Sequence, residues 1–121
     1  MIAPALGEIA DALTAAGIPA AVDPRDVNLP GAWVQHVSHD ADLLAPGCVT
    51  ALIRVLLVAP DVGTLRALEM LDTLESDARL VLVLNAGSVT DRTVQLPDSA
   101  TYYPARVLET RVQISPDPDT P

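Results

Sequence analysis

The sequence predicts an α+β fold, a two-layer sandwich in which two helices cover one face of a mostly antiparallel sheet of about five strands. Two observations indicate this class. Apolar residues recur at helical spacing in two segments, whereas other segments alternate or run apolar as strands do. Short loops between consecutive strands favour antiparallel pairing. The predicted order is α-β-β-β-α-β-β, in one domain over residues 1–114.

Residues 2–16 are predicted to form the first, amphipathic helix. Its apolar residues recur at steps of three and four, at Ile2, Leu6, Ile9, Ala10 and Leu13. Gly17 is expected to cap its C-terminus, and Pro19 prevents its continuation. Residues 20–22 are then a short extended segment, followed by a turn rich in Asp and Pro over residues 23–31.

Residues 32–38 and 48–59 are predicted to be strands. Alternate residues of the first, beginning with Trp33, share one face. The second is almost wholly aliphatic or β-branched and is interrupted by Arg54, as expected for a central strand with both faces mostly covered. Residues 39–47, which join the two strands, are predicted to be a loop.

The second helix is predicted to begin at an Asp61 N-cap and to end at about Ala86. In this interpretation the aliphatic run 80–84 forms its last turns, although the same run also fits a short buried strand.

Residues 91–96 and 106–114 alternate in polarity and are predicted to form a hairpin around the loop 97–100. The last seven residues, 115–121, form an acidic, Pro-rich tail with no apolar residue, which is predicted to be disordered.

Composition argues against several function classes. Sixteen Asp and Glu face seven Arg and no Lys, for a net charge of -9, so the chain lacks the basic surface of nucleic-acid-binding and membrane-surface proteins. Its apolar runs are too short to cross a bilayer. Glu8 and Asp11 interrupt the N-terminal apolar stretch, so no signal peptide is expected. A soluble intracellular protein is therefore predicted.

No catalytic, cofactor or metal site is predicted. His36, His39 and Asp40 form a His-x-x-His-Asp pattern, but residues three apart on a regular strand point to opposite faces, so one ion could bind both histidines only if the strand bulged. Cys48, the single cysteine, begins the most buried strand and is expected to be structural. Serine and glycine form neither a nucleophile elbow nor a phosphate loop, and the loop carboxylates lack calcium-loop spacing.

Arg54 and the three aromatic residues are the candidates for an interface. A cation within an apolar strand must pair with a carboxylate, reach water or meet another subunit. Trp33, Tyr102 and Tyr103 are the only aromatic residues, and aromatic residues and Arg are enriched in interfaces. Trp33 fits equally well in the core under a helix.

Four segments and the final hairpin carry a family resemblance. They are IADALTAAGI at 9–18, VDPRDVNLPGAWV at 22–34, VAP at 58–60 and GTLRAL at 63–68. With these segments the chain resembles tail terminator proteins of long, non-contractile-tailed phages, especially those of actinobacterial hosts. The resemblance covers most of residues 2–114 and depends on pattern and element order. Its most distinctive part is Asp-Pro-Arg-Asp-x-Asn at 23–28, whereas the run 80–84 is less typical.

The resemblance implies a structural virion protein with the same α+β sandwich and no enzymatic activity. Such proteins form a hexameric ring at the head-proximal end of the tail tube, stop tube polymerisation and join the tail to head-completion or connector proteins. Assembly would take place in the host cytoplasm, and DNA would pass through the ring without specific binding. An acidic lumen would suit this passage because it repels phosphates. The residues expected at subunit or partner interfaces are Asp23, Arg25, Asp26, Trp33, Arg54, Tyr102 and Tyr103.

Two other function classes remain open at this point. A small acidic ligand-binding or regulatory domain would hold an effector between helix and sheet, and a polar pocket around Arg54 would favour it. A small hydrolase would need the Cys48 thiol within reach of His36 or His39.

Overall fold

A computed structural model describes residues 2–41, 47–83, 89–97 and 99–114. The elements are helix α1 (Ile2–Ala15), strands β1 (Ala20–Ala21), β2 (Gly31–Ala41) and β3 (Val49–Val58), helix α2 (Thr64–Ala78), and strands β4 (Thr90–Gln95) and β5 (Tyr102–Ile114). A short 3-10 helix, Pro24–Asp26, lies between β1 and β2. The predicted α+β class and the predicted order of elements are confirmed.

The five strands form one sheet in the order β1-β2-β3-β5-β4. Only β1 and β2 are parallel, and the other pairs are antiparallel. Strand β3 is central and pairs along its whole length with β2 and β5, which explains its continuous apolar sequence. Strand β1 pairs only with Ala32 and Trp33 of β2. Beyond Trp33, no described strand pairs with that side of β2.

Both helices pack on the same face of the sheet, as predicted. Leu13 of α1 and Leu71 of α2 belong to one buried cluster that also contains alternate residues of β2, β3 and β5. Its largest fully buried members on the sheet are Val34, Ile53, Val55, Leu57 and Leu108. Among the described residues this cluster is wholly aliphatic, in accord with a sequence that has no Phe.

A second, smaller apolar cluster lies on the opposite face of the sheet. Its buried members are Leu56, Val58, Val94 and Ala105, and Leu29, Trp33, Tyr103 and Val107 pack around them. The position of Trp33 follows from strand alternation, because it pairs with Leu56 whereas its neighbour Ala32 pairs with the core residue Leu57. The interpretation of Trp33 as a core residue under a helix is therefore wrong.

Helix α2 is shorter at both ends than the sequence predicts. Gly63, not Asp61, is the N-cap, and the helix ends at Ala78 rather than near Ala86. Beyond the helix, the hydroxyl of Thr110 on β5 donates a hydrogen bond to the carbonyl of Val83, so this segment is tied to the sheet. The remainder of the predicted helix, residues 84–86, lies outside the described residues.

Strand β2 continues to Ala41, so the first three residues of the predicted 39–47 loop belong to a strand. Residues 42–46 and the predicted tail 115–121 lie outside the described part of the chain. Within the described part, neither helix is long and apolar enough to span a bilayer.

Candidate functional site

The face of the sheet opposite the helices carries the candidate interface, here called the open face. Two of its cross-strand rows are Trp33–Leu56–Val107 and Gln35–Arg54–Glu109, each taken in order from β2, β3 and β5. All of these residues except Leu56 are only half-buried. The open face therefore presents an aromatic ring, an aliphatic side chain and an ion pair side by side.

Arg54 pairs with a carboxylate, which is one of the three environments that the sequence predicts for it. Its Nη2 lies 3.3 Å from Oε2 of Glu109, and the two side chains are 32% and 40% exposed. The Arg54 Nε is buried and has no hydrogen-bond partner among the described residues. A buried donor without an acceptor is costly to the folded chain.

Trp33 is held on the open face by its own chain. Its indole Nε1 donates a hydrogen bond of 3.2 Å to the carbonyl of Val22, and its ring packs in the second apolar cluster beside Leu29. Tyr103 belongs to the same cluster, and its hydroxyl lies 3.3 Å from Oγ of Ser99. The structure thus brings Trp33 and Tyr103 into one cluster on the face that also carries Arg54.

Tyr102 is separated from that group. It is 62% exposed and lines a cleft beside α2, together with Gly63 and Leu68. The alternation of β5 accounts for this, because Tyr102 and Tyr103 are neighbours and point to opposite faces.

Asp23 and Arg25 form a local turn motif. Oδ1 of Asp23 caps the 3-10 helix by accepting from the Arg25 backbone N–H at 2.9 Å, and the guanidinium of Arg25 pairs with the same carboxylate at 3.2 Å. These hydrogen bonds, the guanidinium's foremost, lower the pKa of Asp23. Asp26 is exposed. The distinctive 23–28 segment is therefore explained by its own turn, and it shares no ion pair with Arg54.

The largest ion-pair network among the described residues was not predicted from the sequence. Arg106 of β5, whose side chain is only 11% exposed, contacts Asp91 of β4 and Asp72 and Glu75 of α2. Its hydrogen bond lowers the pKa of Asp91, and the carboxylates raise the pKa of Arg106. The available signal was the three-residue spacing of Asp72 and Glu75, which places both on one side of a helix. No feature of the sequence near Asp72 and Glu75 identifies Arg106 as their partner. The network joins α2, β4 and β5 and does not form a site for a ligand.

The two histidines share one face of the sheet, contrary to the prediction. His36 pairs with Ile53 and His39 with Ala51, while Ser38 pairs with Leu52, so that Val37 is the extra residue of a β-bulge. The bulge offsets the alternation by one residue. Nε2 of His36 and Nδ1 of His39 consequently lie 3.1 Å apart, and both side chains are exposed.

Cys48 makes no hydrogen bond to either imidazole within the described residues, so the arrangement required of a cysteine hydrolase is not observed there. No group of three or more metal-ligating side chains occurs in the described part of the chain.

Within the described part of the chain, two open clefts border α2. One, of about 250 Å³, lies between the start of α2 and the β4–β5 hairpin and is lined by residues that include Thr64, Leu71 and Arg92. The other, of about 340 Å³, lies beside Pro30 and Met70. Arg54 lines neither cleft. The polar pocket around Arg54 that would favour a ligand-binding module is thus not formed by either of them.

No family model matches the chain, and neither a curated protein nor a solved structure is significantly similar to it.

Proposed function

We propose that the chain is a structural subunit of a phage tail, of the tail terminator kind. It forms a ring with copies of itself, caps the head-proximal end of the tail tube and presents a surface to the head-completion proteins. The support is the sequence resemblance together with an α+β sandwich in which both described helices pack on the same face of the sheet. The observation that carries the proposal is the open face, where the Arg54–Glu109 pair lies beside Trp33 and Val107.

The open face has the composition of a subunit interface. Tryptophan and arginine are the residues that contribute most to interface energy, and both lie here half-buried in the free chain. The side chains of Arg54 and Glu109 remain 32% and 40% exposed, so charged groups of a neighbouring subunit could pair with them. Because the helices pack on the other face, a neighbour could approach these residues without displacing the main core.

The charge distribution also suits a channel for DNA. Helix α1 exposes Glu8 and Asp11 and contains no basic residue, while Arg25, Arg54, Arg79 and Arg106 pair with carboxylates of their own chain. An acidic surface turned toward the lumen would repel phosphates and let DNA slide through the ring. An assembled ring with arginines around its lumen and carboxylates on its outer rim would contradict this part of the proposal.

The first test is the mass of the protein in solution, followed by electron microscopy of its mixtures with tail tubes. We expect a ring that caps one end of each tube. A monomer that leaves the tubes unchanged would overturn the proposal.

A charge swap tests the open face itself. Arg54→Glu separates the pair, and Arg54→Glu with Glu109→Arg restores it within the chain but reverses the charges shown to a neighbour. We expect the double variant to fold like the wild type, by circular dichroism, and yet to cap tubes at least about tenfold less well. Arg66→Glu, an exposed change on α2, is the matched control and should cap normally. If the double variant caps tubes normally, the open face is not part of the subunit interface.

The cleft between α2 and the hairpin supports a second candidate, a ligand-binding or regulatory domain. Its lining combines Leu68 and Leu71 with the polar Arg92 and Tyr102, a mixture typical of small-molecule sites. This function predicts a monomer without affinity for tail tubes, so the same solution measurements separate the two candidates.

A further inference from the structure

We propose that His36 and His39 form a two-histidine chelate for a divalent transition-metal ion. The inference is independent of the proposed function. It is based on the register of β2 and on the distance between two exposed ring nitrogens, Nε2 of His36 and Nδ1 of His39, which lie 3.1 Å apart.

The separation of these nitrogens matches that of two ligands on one ion. Metal–nitrogen bonds to imidazole are about 2.0–2.1 Å long, so two nitrogens lie about 2.9 Å apart at a right angle and about 3.4 Å apart at a tetrahedral angle. The observed 3.1 Å lies between these limits. In the absence of metal the two nitrogens can share one hydrogen. Moving that proton to the other nitrogen of its ring leaves a lone pair on each facing atom.

The strand fixes the backbone positions of the two histidines. His36 and His39 are each paired with a buried residue of β3, Ile53 and Ala51, and the bulge at Val37 brings the two imidazoles to the same face. The chelate therefore depends on backbone geometry that the sheet fixes before any ion arrives. Such pre-organisation lowers the cost of ordering two side chains around a metal.

The donor set determines which ions would bind. Imidazole suits Cu²⁺, Ni²⁺ and Zn²⁺, whereas Mg²⁺ and Ca²⁺ prefer oxygen ligands. Both histidines are exposed, so an ion can enter from solvent and water can fill the other coordination positions. Two protein ligands and open positions predict a reversible, moderately tight site, with Cu²⁺ bound more tightly than Ni²⁺.

The sequence makes the test specific, because the chain contains two His and one Cys. Untagged full-length protein would be titrated with NiCl₂ and CuCl₂ by isothermal calorimetry, alongside His36→Gln and His39→Gln. We expect one ion per chain, and binding weakened by about 10²-fold in each single variant, because each removes one arm of the chelate. Cys48→Ser should bind like the wild type, and circular dichroism should show that all variants fold.

Electron paramagnetic resonance of the Cu²⁺ form supplies a second measurement. Two coordinated imidazole nitrogens are expected in the wild type and one in either single variant. The proposal is overturned if the wild type binds neither ion up to millimolar concentration. It is equally overturned if a single-histidine variant binds as tightly as the wild type, since a lone imidazole or surface carboxylates would then hold the ion.

Discussion

Arg106 of β5 and Asp91 of β4 are cross-strand partners, and the Arg106 guanidinium donates two hydrogen bonds to the Asp91 carboxylate. Nε donates to Oδ1 at 2.6 Å and Nη2 to Oδ2 at 3.1 Å. The remaining nitrogen, Nη1, reaches Asp72 and Glu75 on α2 at 2.7 and 3.2 Å. One side chain of β5 thus joins α2 to the β4–β5 edge of the sheet.

Removing Arg106, whose side chain is buried, should destabilise the chain. Arg106→Met leaves Asp72 and Asp91 without their cation, while Glu75 keeps its ion pair with Arg79. We expect the free energy of unfolding to fall by about 2 kcal/mol. A fully buried pair would lose more, but water reaches Asp72 and Asp91. Urea denaturation at pH 7 measures the change. The control Arg66→Met, on the exposed side of α2, should change stability little, and an equal loss in both variants would contradict the prediction.

The same network predicts a specific dependence of stability on pH. The hydrogen bond from Arg106 lowers the pKa of Asp91 below 3.8 in the folded chain. A lowered carboxyl pKa contributes stability above the unfolded-state value, and that contribution disappears as the pH falls through the folded value. The wild type should therefore lose more stability than Asp91→Asn below about pH 4. Unfolding free energies at several pH values from 6 to 2.5 would test this, and parallel curves would show that Asp91 does not contribute.

Two glycines should respond in opposite directions to alanine. A Cβ at Gly31 would lie 2.0 Å from the carbonyl oxygen of Asn28 and 2.7 Å from that of Pro19, both of them backbone atoms. Gly31→Ala should therefore cost about 2 kcal/mol or more. A Cβ at Gly7, inside α1, meets nothing within 4 Å, so Gly7→Ala should raise stability by about 0.5–1 kcal/mol. Thermal denaturation of the two variants checks both signs.

The Arg54–Glu109 pair should contribute little to the stability of the free chain. Because both side chains are about one-third exposed or more, a double-mutant cycle with Arg54→Met and Glu109→Gln should give a coupling energy below about 1 kcal/mol. The cycle must be measured at a concentration where the chain is monomeric. A coupling energy above about 2 kcal/mol would mean that the ion pair mainly stabilises the fold. It would then contradict the proposal that Arg54 and Glu109 are available to a neighbouring subunit.

Local patterns were sufficient to predict the class and order of the elements. The stripe of α1 and the apolar run of β3 depend on residues close in sequence, and both reappear in the structure near their predicted bounds. The end of α2 could not be predicted in this way. The aliphatic run 80–84 continues the helical composition, but Thr110, 27 positions further along the chain, binds the carbonyl of Val83.

The candidate sites depended even more on contacts distant in sequence. The partner of Arg54 could be narrowed to a carboxylate, water or another subunit, but Glu109 was selected by the register of β3 and β5. His36 and His39 lie on the same face only because β2 has a bulge at Val37. This bulge could not be predicted, because no sequence feature distinguishes Val37 from a regular strand residue. Arg106 likewise looks like any polar residue at a strand start until α2 and β4 are packed beside it.

The bulge in β2 has a consequence for association of the chain with itself. Along residues 34–41, no described strand pairs with the outer side of this strand, and such an edge can pair with a strand of another chain. Val37 breaks the regular repeat of donors and acceptors near the middle of that stretch. An incoming strand could match the pattern on only one side of the break. Edge-to-edge fibre growth is thereby disfavoured, while closed assembly through the face of the sheet remains open to the protein.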